Sequence, residues 1–459
     1  MPTHVIVLGG GPAGYVSALH ASQLGARVTL VDASGLGGTC LHRGCIPTKT
    51  LVSSCSLLDQ LKDASKCGIT INGDIDVSWP GALANVHRVI NTMAGGIEGL
   101  LNNRKIEVIN DEGWLADGHT VTLAGGGQVK GDYVLICTGS KPARPKAFPF
   151  DGHTVVTSDD LLHWSDLPTS LAIIGEGIIA CEFAFIFASL GVKVTVVGME
   201  RLPAPALDTD ISAVLLREMR KKGIKFVGGA PVESIECRDD GVAVSQKDKP
   251  EITAERALVC VGRIPNSETL HLEAAGVESG RRGEIIVDDF MRTSCPTVYA
   301  AGDVTGRVML AHAASAQGKV AVEHILDHAP AAIDESKIPW AIFTSPEIGC
   351  VGLSEQEAGR RGIEVRCGTF DMRGLGKAQA MGKIAGMAKI VADASTGEVL
   401  GAHVMGAHAT DIVHEAVVAI QQGMSVRELA RAVHAHPTLS ESVVEAAEDV
   451  FGLALHKVQ

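Results

Sequence analysis

The chain has no excess of positive charge: 40 lysines and arginines face 53 aspartates and glutamates, a formal net charge of −13. A chain-wide attraction to nucleic acid or anionic lipid is therefore not expected, and the expected partners are proteins and small molecules. No apolar run approaches the roughly 18 residues that span a bilayer. No basic stretch followed by an apolar one opens the chain, so no presequence and no membrane segment are expected, and the chain reads as cytoplasmic. A disulfide framework is missing as well. The 11 cysteines are an odd number, and all but Cys40 and Cys45 are scattered through apolar or helical stretches, as suits buried thiols in a reducing compartment. No metal site is expected.

What is present is globular. Hydrophobic residues make up 46% of the 459 residues and charged ones 20%, a composition that buries cores rather than remaining disordered. At about 100–200 residues per domain the length suggests three or four domains. Short β-branched runs recur at residues 4–8, 27–32, 133–137, 171–174, 193–197, 256–261 and 284–287. Many lead into a glycine turn and an amphipathic stretch, the pattern of an α/β fold with parallel strands. Residues 5–32 run strand, glycine turn, helix, strand, and residues 172–200 repeat that order, so two Rossmann-like dinucleotide-binding domains are expected. Beyond about residue 330, strands at 338–343, 386–392 and 399–405 separated by turns suggest a C-terminal α+β domain.

The first turn, Gly9-Gly10-Gly11-Pro12-Ala13-Gly14, follows a strand and opens a helix, with Asp32 ending the next strand. In that context Gly9, Gly11 and Gly14 let backbone approach a pyrophosphate at the helix N-terminus, and Asp32 can receive a ribose hydroxyl. The alternative is a merely tight strand-to-helix turn. The second turn is Gly175-Glu176-Gly177-Ile178-Ile179-Ala180, in which Ala180 stands in the third glycine's place. Its acid is displaced: residue 198 is glycine, and Glu200 follows two residues later beside Arg201. An acid favours NAD and a cation accommodates the 2′-phosphate of NADP, so NAD and NADP both remain open, as does the reading of Glu200 and Arg201 as solvated turn residues. Glu176 is expected to face away from the pyrophosphate that it would repel.

The most specific segment runs from Gly37 to Lys49, with Cys40 and Cys45 near a helix start. A short-loop pair of this kind can bridge, and the positive end of a helix stabilises a thiolate. Two buried structural thiols are the alternative.

This segment resembles the redox signature of the flavin-dependent pyridine nucleotide-disulfide oxidoreductases, and later motifs extend the likeness over nearly the whole chain. Thr138-Gly139-Ser140 resembles the family's turn closing the flavin site. Tyr299-Ala300-Ala301-Gly302-Asp303 resembles the segment whose Asp holds the ribityl chain, and Met309-Leu310-Ala311-His312 the stretch flanking the isoalloxazine. Gly113 falls where the family contacts the adenine end, and Gly262, opening Gly262-Arg263-Ile264-Pro265-Asn266, near the nicotinamide. The resemblance implies FAD and NAD (or NADP) as cofactors, with an FAD-binding domain at 1–145, an NAD(P)-binding domain at 146–265, a central domain completing the FAD site at 266–335 and an interface domain at 336–459.

It also implies roles. Cys40 and Cys45 would form a disulfide, with Cys45 against the flavin and Cys40 exchanging with substrate. Lys49 and Glu182 would pair beside the flavin ring, the alternative for Glu182 being a helix-surface charge. His436, in His434-Ala435-His436-Pro437-Thr438-Leu439-Ser440-Glu441, would be the base serving the opposite subunit of a homodimer, after a cis peptide bond to Pro437 and with Glu441 orienting its ring. As residues alone, Thr438 and Glu441 also read as a capping box, and His434 as structural. Tyr15, Ser345-Pro346-Glu347 and Val351-Gly352 look more like the branch that oxidises dihydrolipoamide, on lipoamide or a lipoyl-bearing protein, than like glutathione reductases. His42-Arg43, Gly198, Ser315 and Gln317 depart from the family pattern. An NADPH-dependent reductase of another small disulfide is the competing enzyme, and a structural subunit with a vestigial redox centre the competing non-enzyme. A mercuric reductase is disfavoured because residues 451–459 contain no cysteine.

Overall fold

The computed structural model describes residues 1–457; Val458 and Gln459, the end of the expected interface domain, lie outside the described residues. Among the described residues, two five-stranded parallel sheets and one five-stranded antiparallel sheet carry the fold. The first sheet runs Val298–Ala300, Tyr133–Ile136, His4–Leu8, Arg27–Val31, Glu107–Ile109 in spatial order. Val5 and Val7 pack under helices, while Ile6 and Leu8 pack under a small antiparallel sheet carrying Leu115 and Val121. A strand covered on both faces needs consecutive apolar residues, which is why residues 5–8 read as one unbroken run.

The second sheet repeats this plan. Its order is Lys225–Val227, Lys193–Val197, Ser170–Ile174, Arg256–Val259, Val155–Thr157. Leu171 and Ile173 face the helix side, and Ala172 and Ile174 face another small antiparallel sheet. The helix Ile178–Ser189 that follows the second turn is buried around nearly its whole circumference, Glu182 included, as expected for a helix apolar on all sides.

Residues 266–335 form no large sheet of their own. Their strand Val298–Ala300 is the edge of the first sheet, and their helix Ala311–Ile325 lies against Pro12–Gln23. The strand expected at 284–287 is not formed. The Ile285 N–H is taken by the Val304 carbonyl and the Ile286 N–H by that of Glu278, which leaves a single bridge between Ser279 and Ile285. The antiparallel sheet, in the order Trp340–Ile342, Glu347–Gly352, Val399–Gly406, Met387–Asp393, Val365–Asp371, has its own core beneath the helices Ala409–Gln421 and Glu441–Asp449.

Candidate active site

Both glycine turns open on one cavity of about 2050 Å³ that Cys40, Cys45, Lys49 and Glu182 also line. A single drug-sized ligand needs roughly 300–1,000 Å³, so the volume suits two large ligands side by side. The turns are built alike. Gly9 and Gly175 have φ of +107° and +115°, and at each a Cβ would collide with a carbonyl oxygen, that of Cys137 or of Cys260. Gly9 donates its N–H to Val31 and Gly175 to Val197, both at 2.8 Å. Gly14 and Ala180 do not line the cavity. Gly14 instead lets its helix approach the strand, since a Cβ there would collide with the Gly9 carbonyl.

The cysteines sit on two helices rather than one. Cys40 lies within the short Gly38–His42 helix, and Cys45 is the first residue of the 18-residue helix Cys45–Lys62. They are free thiols here, not the disulfide expected from the resemblance. Each thiol acts on the other's acidity: the Cys45 side chain beside it, with burial adding to the effect, holds the Cys40 thiol well above the ordinary range. The Cys40 side chain lowers Cys45 in return, aided by the Lys49 cation and opposed by burial and Glu182. Cys45, the first residue of its helix, is therefore the more acidic of the two thiols, as suits a thiol at a helix N-terminus beside a cation. Burial also raises the Tyr15 hydroxyl.

Lys49 Nζ lies 3.0 Å from both Glu182 oxygens. Glu182 is 4% exposed, which corrects its reading as a surface charge. Its Oε1 also accepts the Phe343 N–H at 2.9 Å, and the ammonium stands 4.5 Å from the centre of the Phe343 ring. Sequence reasoning missed Phe343, because it belongs to the antiparallel-sheet region and only tertiary folding brings it here.

Thr138, Gly139, Ser140, Asp303, Gly113, Gly262 and the Met309–His312 stretch all line the cavity. Ser140 Oγ donates to Asp303 at 2.5 Å and accepts from Arg263 Nε at 2.7 Å. Thr138 Oγ1 donates to the Asn266 carbonyl, and Asn266 Nδ2 to that of Thr138. The two motifs at 138–140 and 262–266 thus lock one another, a clamp that neither reveals alone. Asp32 accepts the Gly10 and Ser34 N–H groups at 2.8 and 3.1 Å. Glu200 is exposed and absent from the cavity wall, so its side chain is not placed where a cofactor-binding acid was expected.

His436 and Glu441 lie away from the cavity. The His436 ring is 75% exposed, its bond to Pro437 is cis, and its Nδ1 is 2.8 Å from Glu441 Oε1. Burial raises the Glu441 carboxyl, but the Thr438 N–H and the His436 ring outweigh it and hold it low. Glu441 Oε2 accepts that N–H at 2.8 Å, while the Thr438 hydroxyl goes to Ala435 instead of completing a capping box. The capping box read from Thr438 and Glu441 is therefore not formed, because the helix begins at Glu441 itself, after Ser440, and the Glu441 carboxylate is left to the His436 ring and the Thr438 N–H. His434 is held by Glu415 at 3.0 Å.

Residues 3–318 match the family model described as pyridine nucleotide-disulphide oxidoreductase, and residues 338–447 match that family's dimerisation domain. The chain belongs to the pyridine nucleotide-disulphide oxidoreductase family. It is 36% identical over 460 residues to a dihydrolipoyl dehydrogenase of Geobacillus stearothermophilus, covering 99% of this chain and 97% of that one. A Halobacterium salinarum dihydrolipoyl dehydrogenase is 37% identical with the same coverage. Among solved structures, LpdA of Mycobacterium tuberculosis superposes with a TM-score of 0.91 at 31% identity, covering 97% of this chain and 99% of that one. The HOCl-induced flavoprotein disulfide reductase RclA of Escherichia coli gives 0.87 at 26%, with the same coverage.

The two turns fit the dinucleotides of this oxidoreductase family. Neither Gly11 nor Gly177, the residues before the two helices, caps its helix with a side chain. A Cβ at Gly177 would meet nothing within 4 Å, and one at Gly11 only Gly38 Cα at 3.9 Å. Open space over uncapped amides is what a pyrophosphate occupies.

Proposed function

We propose that the chain is a homodimeric, FAD-dependent dihydrolipoamide dehydrogenase that oxidises lipoamide-type dithiols, free or carried on a lipoyl-bearing protein, and reduces NAD or NADP. The observation that carries this reading is the unequal Cys40–Cys45 pair beside the Lys49–Glu182 pair on the wall shared by both glycine turns. Dihydrolipoyl dehydrogenases matched end to end support the substrate class. The division is residues 1–145 for FAD, 146–265 for NAD(P), 266–335 completing the FAD site and 336–459 for the dimer interface. Free cysteines throughout the described residues favour a reducing compartment such as the cytoplasm.

Bound FAD supplies two-electron transfer between the thiol pair and the pyridine nucleotide. Gly9, Gly11 and Asp32 would hold its adenosine half, with Gly14 letting the helix close on the strand behind them and Gly113 at the adenine end, while Thr138, Gly139, Ser140, Asp303 and the Met309–His312 stretch would hold the flavin half. Gly175, Gly177 and Gly262 would line the nicotinamide-nucleotide site, with Ala180 packed behind the turn. With the pair oxidised, a substrate thiolate attacks Cys40 Sγ, the Cys40–Cys45 bond breaks, and Cys45 leaves as the stabilised thiolate. The second substrate thiol then displaces Cys40, releasing the cyclic disulfide. His436 of the partner subunit takes the proton from the attacking thiol, and Glu441 fixes its tautomer. Lys49, held by Glu182, keeps positive charge beside Cys45.

Steady-state nicotinamide reduction by the purified flavoprotein with dihydrolipoamide tests the proposal. Turnover that Cys45→Ser abolishes is expected. Equal or better turnover of glutathione disulfide with NADPH, and none with dihydrolipoamide, would replace it with the competing reductase.

A further inference from the structure

The two nucleotide-binding units superpose residue for residue in sequence, with 9, 10, 11, 32 and 34 answering to 175, 176, 177, 198 and 200. In the first unit the acid, Asp32, directly follows the second strand, Arg27–Val31. Asp32 holds its carboxylate against the turn by accepting N–H groups from residues 10 and 34. In the second unit the corresponding strand, Lys193–Val197, is followed by Gly198, which has no side chain to offer, and residue 10's counterpart is Glu176.

Glu176 does not point into the pyrophosphate cradle. Its Oε1 accepts the Glu200 N–H at 3.1 Å, and residue 200 is the counterpart of Ser34, which serves Asp32 in the same way. A Cβ built on Gly198 would stand 2.7 Å from Glu176 Oε2 and 2.8 Å from its Cβ. Conversely, a Cβ on Gly10 would stand 3.0 Å from Asp32 Cγ. Each unit has room for one carboxylate at this spot, reached from the strand end in one and from the glycine turn in the other. Glu176 and Gly198 both line the cavity.

We infer that Glu176 supplies, from the turn, the carboxylate that Gly198 lacks, receiving the adenosine ribose hydroxyls of NAD and repelling the 2′-phosphate of NADP. This rests on the reading that the second unit binds pyridine nucleotide. A carboxylate accepting hydroxyl hydrogen bonds favours the free diol, and its charge opposes a phosphate ester at the same position. Neither Glu200 nor Arg201 is needed for the selection.

Calorimetric titration of the FAD-loaded, full-length protein with NAD and with NADP tests this without turnover, with visible flavin absorbance and melting temperature checking that each variant is folded. The wild type is expected to bind NAD more tightly. Glu176→Gln should weaken NAD by about tenfold and narrow the difference between the nucleotides. Gly198→Glu alone places a second carboxylate in an occupied space and should also weaken NAD. The double substitution Glu176→Gly with Gly198→Glu, which recreates the arrangement of the first unit, should restore tight NAD binding. Unchanged NAD and NADP affinities in both Glu176→Gln and Glu176→Gly would overturn the inference, as would a wild type that prefers NADP. A flavin-loaded wild type that binds neither nucleotide would instead overturn the reading on which it rests.

Discussion

Lys389, on a strand of the antiparallel sheet, holds its ammonium 3.0 Å from Asp208, the residue preceding the helix Thr209–Lys221 of the second nucleotide unit, with side chains 1% and 0% exposed. Asp210 and Glu355 complete its coordination at 2.7 and 2.6 Å. Burial alone would discharge this lysine, but the three carboxylates keep its pKa above the ordinary value. Removing one partner of a buried pair strands the other and costs about 3–5 kcal/mol. Lys389→Met should therefore lower the melting temperature by several degrees, whereas Asp210→Asn, at a half-exposed position, should cost under about 1 kcal/mol. Equal effects from the two would show that the buried pair adds nothing.

Asp208 gives this cluster a pH dependence of known sign. Burial pushes its carboxyl up, but Lys389 overrides that and holds it below the ordinary carboxylate value. A group whose folded pKa is depressed contributes stability above its unfolded pKa and loses it as pH falls through the folded one. Chemical denaturation measured from neutral pH into the acid range should show stability falling, with a smaller fall in Asp208→Asn.

The reduced thiol pair offers a test with opposed signs. Cys45 is lowered first by the Cys40 side chain and then by Lys49, and raised by burial and Glu182. The thiolate absorbance of the reduced protein should titrate with a midpoint below the ordinary thiol value of 9.0. Lys49→Met should move that midpoint up, by about one unit for a close opposite charge, and Glu182→Gln should move it down. Shifts of the same sign in both variants would contradict the electrostatic account.

Much of this was legible in sequence for a definable reason. The turns at 9–14 and 175–180 and the pair Cys40 and Cys45 are contiguous segments whose chemistry depends on spacing along the chain. The strand expected at 284–287 failed because its amides serve loop carbonyls, a matter of tertiary placement that β-branched composition cannot report. Phe343 and Arg263 went unread as site residues because their partners, Glu182 and Ser140, lie 161 and 123 positions away. Glu176 was visible, yet its direction depends on the N–H of Glu200. In sequence Gly198 reads as a missing acid, while in the structure the Glu176 side chain occupies the space that a side chain at 198 would need.

His436 should separate the two half-reactions. Its exposed ring and its 2.8 Å contact with Glu441 suit a base acting on a thiol outside this chain's own cavity. His436→Ala should slow dihydrolipoamide oxidation by about 10²–10⁴-fold, the usual worth of a positioned base, while NADH oxidation by an artificial electron acceptor continues. Glu441→Gln, as a positioning variant, should act more mildly and shift the pH profile of the thiol half-reaction. Loss of both activities in His436→Ala would assign the residue to folding or dimer assembly instead.

Gly14 and Ala180 hold equivalent places in the two turns, yet they should not tolerate exchange equally. At Gly14 an added Cβ meets the Gly9 carbonyl oxygen and comes within 3.3 Å of Cys137 Cβ, so the helix Pro12–Gln23 would have to move off the strand that carries the turn. Overpacking of this kind costs about 1–3 kcal/mol, and here it also displaces the amides meant for the pyrophosphate. Gly14→Ala should therefore purify with a low flavin-to-protein absorbance ratio and a lowered melting temperature. Ala180→Gly relieves no collision and removes only a methyl group from a buried helix, so it should cost about 1 kcal/mol from helix propensity and leave the flavin ratio unchanged. Full flavin occupancy in Gly14→Ala would mean that the helix can retreat without disturbing the cradle, and that the close approach at Gly9 is not what the third glycine serves.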